Sequence, residues 1–112
     1  DHVVLLVPDL GAAAEAITAV AGAPRRRAVV RDRPTAFWVV GTLLEVVEEG
    51  SVDRPLLYGV SLTVDEPLED VADRWHLAGH RVTGPRDAIQ PGRRILTVPS
   101  ASAGLAVMTP RV

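Results

Sequence analysis

Few side chains in this chain can do chemistry, and their types narrow the field. Its 112 residues include no cysteine and no lysine. That excludes a thiolate nucleophile, a Cys-bound metal, a disulfide framework and any Schiff-base or phosphate-loop lysine. Histidine occurs only as His2, His76 and His80. His76 and His80 have the spacing of a helical zinc pair, but Gly79 breaks the helix between them. An exposed helix position and a strand start are their expected roles. Ser51, Ser61, Ser100 and Ser102 have no neighbouring His and no G-x-S-x-G around them, so a serine nucleophile is not expected. What remains is His2, heading the run HVVLLV, and Glu45, inside LLEVVE. At the two-residue period of a strand, Glu45 shares a face with Leu43 and Val47. A carboxylate on such a face either points into a cavity or marks the solvent side.

The elements that must position these residues read as a repeat. His2–Val7 is continuously apolar after its first residue and suits a buried strand. Pro8 ends it, Asp9 is a helix N-cap, and Leu10–Ala21 is an Ala-rich helix with Leu10, Ala13, Ala14 and Ile17 on one stripe. Gly22 stops the helix. Strands are predicted at 25–31, 35–40 and 43–48, with Asp32, Arg33 and Pro34 making a turn. Residues 49–55, EGSVDRP, are polar with Gly and Pro and read as a linker. The pattern then restarts. A strand is predicted at 58–64, and Asp65 and Glu66 precede a helix with Pro67 in its first turn. That helix has the stripe Leu68, Val71, Ala72 and Trp75 and stops at Gly79. A short strand at 80–83, a loop at 84–92, and strands at 93–98 and 105–109 joined by a small-residue turn at 99–104 complete the chain. A shift of 57 residues lays Val3 on Val60, Leu5 on Leu62, Val7 on Val64 and Gly22 on Gly79.

Composition sets further bounds. Hydrophobic residues make up 47% of the chain, enough for a core, and no run approaches the roughly 20 apolar residues of a membrane span. A formal charge of −2 argues against a nucleic-acid partner. The basic run Arg25, Arg26 and Arg27 reads as a solvated strand end, with an anion-recruiting rim as its functional alternative. With no cysteine and no basic leader-like start, the cytoplasm is the expected setting.

A strand–helix–three-strand unit repeated in tandem, opening on DHVVLLVPDL and closing its first copy on LLEVVE, resembles the vicinal oxygen chelate superfamily. This is the glyoxalase, extradiol dioxygenase and bleomycin-resistance group. The resemblance implies an α+β fold, a single domain of two βαβββ modules at about 1–49 and 56–112. Their mixed sheets would curl around a partly open cavity with the helices outside. It also implies that His2 and Glu45 stand where metal-using members place ligands, with Glu45 as the catalytic group too. One divalent ion (Zn, Ni, Mn, Co or Fe) is the implied cofactor, with none as the alternative. The second module departs from the pattern. Gly59 matches His2, only Tyr58 and Ser61 are polar nearby, and the last strand offers Ala106, Val107 or Met108 in place of Glu45. Trp38, Tyr58 and Arg93 are the candidate ligand-binding residues, an aromatic wall and a guanidinium suiting an apolar ligand with an anionic end.

Two functions follow as expectations. One is a metal-dependent lyase or isomerase acting on a small substrate with vicinal oxygens. The other is a metal-free binding protein of the bleomycin-resistance type. A small-molecule ligand and a homodimer are expected in either case, the dimer by resemblance and because an open sheet leaves unpaired edges.

Overall fold

The computed structural model describes residues 1–99 and 104–111. The fold class is α+β, and the described residues form two helices and eight strands in the order βαβββ, twice. The chain divides into two compact units, His2–Tyr58 and Gly59–Val112, with Asp1 belonging to the latter.

In the first unit, β1 (His2–Val7), α1 (Leu10–Ala21), β2 (Arg26–Val30), β3 (Arg33–Val39) and β4 (Leu43–Glu48) build a mixed sheet in the order β2-β3-β4-β1. β1 runs parallel to β4, and the other pairs are antiparallel. The N-terminus of α1 is held by two carboxylates. Asp9 accepts from Ala12 N at 3.2 Å and Glu48 from Leu10 N at 3.0 Å, which satisfies amides that the helix leaves without partners. At its other end Gly22 has φ 81° and donates to Thr18 O. Leu10 and Ala14 of α1 pack on Val7, Ala36, Trp38 and Val46. These strand residues alternate with His2, Val4, Glu45 and Phe37, which therefore lie on the sheet face away from α1.

In the second unit, which takes β5 (Leu56–Thr63) from Gly59 onward, β5, α2 (Leu68–Leu77), β6 (Thr83–Asp87), β7 (Arg94–Val98) and β8 (Gly104–Met108) follow the strand order β5-β8-β7-β6, with β5 parallel to β8. Leu68 and Val71 of α2 bury against Leu96, Val98 and Val107. Three local expectations change. The β2–β3 turn is tighter than predicted, because Arg31 and Asp32 take positive φ of 51° and 64° and Arg33 already pairs with Val30. That is the backbone of a two-residue hairpin. Pro34 sits inside β3, just before pairing with β4 begins at Thr35. The sixth strand is not 80–83 but Thr83–Asp87, which contains Gly84 and Pro85. It pairs only with β7 and carries a register shift between Thr83 and Arg86, the setting in which a strand admits proline. Pro67 is the N-cap of α2 rather than a first-turn residue. Most of the predicted turn at 99–104, including Ser100 and Ser102, lies outside the described residues. No described helix is long and apolar enough to cross a membrane.

Candidate functional site

The parallel pairing of β1 with β4 sets the first unit's polar pair. Val4 lies opposite Glu45 and His2 opposite Leu43, so His2 and Glu45 are diagonal neighbours on one face. Their side chains meet with His2 Nε2 3.8 Å from Glu45 Oε2, and they are 18% and 17% exposed. Antiparallel pairing with β3 puts Phe37 on the other flank of Glu45. The carboxylate thus stands between Val4 and Phe37, screened from most solvent yet reachable. An imidazole beside a carboxylate can exchange a proton, orient a hydrogen bond or hold a cation. The donor set suits a divalent ion bound through two protein atoms with water filling its other positions. Among the described residues no group of three or more His, Cys, Asp or Glu converges on a point.

The second unit shows why it lacks the matching pair. Gly59, the counterpart of His2, lies opposite Gly104. A Cβ built on Gly59 would sit 2.6 Å from Gly104 O, so the backbones are too close for any side chain there. Ser61 pairs with Ala106 as Val4 pairs with Glu45. The register therefore makes Ala106 the counterpart of Glu45. Ser61 is 2% exposed, and its Oγ has no hydrogen-bond partner among the described residues.

Of the other candidates, Trp38 lies in the core under α1. It is 1% exposed and its indole N–H donates to Gly22 O at 3.0 Å, so it ties the helix end to the sheet. Tyr58 is exposed on β5. Arg93 is buried and its donors are taken. It gives hydrogen bonds to Asp1 Oδ2 at 2.9 Å, Gln90 Oε1 at 2.7 Å and Thr109 O at 2.7 and 3.0 Å. Burial lowers its pKa from the ordinary arginine value, though an arginine stays charged at neutral pH. Arg111 and Thr63 complete the shell around the Asp1 carboxylate. Asp1 was not legible as Arg93's partner, since 92 positions separate them. His76 and His80 both line a shallow hollow of about 370 Å³ with Gly79, Arg81 and Val82, and the His80 ring lies 5.0 Å from that of Trp75. The sequence reading offered Arg26 as part of an anion-recruiting rim but missed its contact with Phe37. Phe37 pairs with Glu45 on one side and Arg26 on the other, and the Arg26 guanidinium carbon lies 4.7 Å from the Phe37 ring centre.

No family model matches the sequence, and no curated protein matches it. Solved structures do. Methylmalonyl-CoA epimerase from Mycobacterium tuberculosis is 16% identical with a TM-score of 0.72, and the match covers 100% of this chain and 87% of that one. The Streptomyces coelicolor methylmalonyl-CoA epimerase variant S115T, solved in complex with 2-nitronate-propionyl-CoA, is 20% identical with a TM-score of 0.70 over 100% and 94% of the chains. A hypothetical protein from Bacillus halodurans C-125 reaches a TM-score of 0.75 at 11% identity, with the same coverage. At these identities the likeness shows the fold alone, the small α+β glyoxalase-like fold.

Proposed function

We propose that this chain is an isomerase-type enzyme that moves a proton at a carbon next to a carbonyl group of a small substrate. The observation that carries the reading is the His2–Glu45 pair, 3.8 Å apart and less than one-fifth exposed, on a sheet face free of its helix. In this reading the Glu45 carboxylate takes the proton from carbon and the electron pair moves onto the carbonyl oxygen; the proton on Glu45 exchanges with water, and Glu45 then returns a proton to the neighbouring carbon, or to the other face of the turned enolate, to give the isomer. His2 steadies Glu45 and, when protonated, donates to the developing oxyanion. Val4 and Phe37, which flank Glu45 across the sheet, limit water at the carboxylate. A divalent ion held by His2 and Glu45 would replace the protonated His2 in that role, supplying Lewis-acid polarisation of the carbonyl. The fold likeness to epimerases, one of them solved with a CoA thioester analogue, supports the reaction class and makes small CoA thioesters the first probes. Exchange of substrate C–H for deuterium in D2O, followed by NMR, tests the proposal. The parent should exchange at least one such probe, and a Glu45→Gln variant of equal thermal stability should not.

A second reading, a binding protein that works without a metal, is favoured by the second unit's Gly59 and Ala106 at the positions matching His2 and Glu45. Tight binding of a probe with no exchange would select it. A homodimer belongs to either reading. Its support is the edge position of β2, and sedimentation at micromolar concentration checks it.

A further inference from the structure

Arg26 is the one cation that the first unit's strand pairing aligns with Glu45. Reading across the sheet face away from α1, Val4 pairs with Glu45, Glu45 with Phe37, and Phe37 with Arg26. The guanidinium carbon stands 4.7 Å over the Phe37 ring centre. A cation–π contact of this kind holds the guanidinium at the ring without spending its N–H groups on an acceptor oxygen. Phe37 is half-buried and holds the cation, while Arg26 itself is exposed. The exposed arginines Arg33 and Arg74 and the half-buried Arg94 are each closed by a carboxylate at 2.6–2.8 Å. Arg26 has none among the described residues, nor have its neighbours Arg25 and Arg27; the contact with Phe37 is what distinguishes Arg26. Two strand spacings, roughly 10 Å, separate the Arg26 and Glu45 backbones, and both side chains project from the same face.

From this row we infer that Arg26 selects substrates carrying an oxyanion, a carboxylate or a phosphate, several bonds away from the carbon that Glu45 deprotonates. The inference rests on the proposed proton transfer for the role of Glu45, but the binding it describes is separable from turnover. Phe37 acts as a positioning residue: it holds the guanidinium over this face, where its N–H groups can grip two oxygens of the anion. Arg26 then sets affinity for the anionic end and leaves the proton-transfer step to Glu45.

The test is calorimetric or NMR titration of the intact chain with two probes, 2-oxoglutarate for a carboxylate and dihydroxyacetone phosphate for a phosphate. Neutral dihydroxyacetone serves as control. The parent should bind at least one anionic probe and prefer it to the control. Arg26→Gln should weaken that binding about tenfold or more, as expected for loss of a charge-assisted pair. Phe37→Leu should weaken it less. Glu45→Gln should leave anion affinity close to the parent's while abolishing any exchange. Whichever probe wins tells carboxylate from phosphate. Equal affinity of the parent and Arg26→Gln for both anions, or no binding of either anion by the parent, overturns the inference. If Arg26→Gln loses affinity yet Glu45→Gln still exchanges, the inference stands and the proton-transfer reading falls.

Discussion

A carboxylate and an imidazole that share a face can serve as a cation site, and that property can be measured apart from turnover. A divalent ion bound only to the native protein at a hundredfold its dissociation constant should stabilise it by about 2.7 kcal/mol. His2→Ala should remove that rise in melting temperature, because the proposed site would have two protein donors and would lose one of them. A variant that still responds like the parent would place the ion elsewhere. Arg93 invites a different experiment. Its guanidinium and the Asp1 carboxylate are 2% and 5% exposed. Arg93→Met would leave that carboxylate buried beside Thr63 with its main partner gone, at a cost of about 3–5 kcal/mol in chemical denaturation. A loss below about 1 kcal/mol would return Arg93 to the candidate ligand residues. Legibility at this scale followed range. Glu45 stood out because an acid among aliphatics breaks a strand's own pattern. Trp38 and Arg93 were read as ligand residues because their partners, Gly22 O and Asp1, are set by tertiary structure.

At the scale of elements, the helices and inner strands were written into local pattern. Asp9, the Leu10–Ala14 stripe and Gly22 bound α1 at the residues the structure shows. β6 was misplaced because Gly84 and Pro85 read as breakers, and only its pairing with β7 alone makes them tolerable in a strand. Gly59 carries a prediction here. The 2.6 Å approach to Gly104 O means that Gly59→Ala must push β5 from β8. A melting temperature several degrees lower is expected, and an unchanged one would show that the strands separate freely. α2 carries another. Glu66 is held below its ordinary value of 4.5 first by hydrogen bonds from Arg74, and Glu69 likewise by Arg94. A carboxyl whose folded pKa is depressed contributes stability above its unfolded pKa and loses it as pH falls through the folded value. Arg74→Gln should therefore shrink the fall in melting temperature between neutral pH and pH ~3. Both side chains are exposed, so the change should be small. A larger fall in the variant would contradict the sign.

At the scale of the molecule, the repeat was legible because each unit must rebuild the same strand–helix core, and the 57-residue offset keeps its apolar positions in phase. What the two units do not share is chemistry. The first keeps an acid, an imidazole and a stacked arginine on one face, while the second has Gly59 and Ala106 at the corresponding places. The fold alone serves too many reactions to name one, so the account stands on what Glu45 does. The measurement that meets this most directly is the rate of C–H to deuterium exchange in small CoA thioesters and 2-oxo acids, for the parent and for Glu45→Gln. Exchange by the parent that falls by about 10²- to 10⁴-fold in Glu45→Gln, at unchanged melting temperature, is the predicted result. Equal exchange by the two proteins, or none by the parent with any probe it binds, would contradict the account.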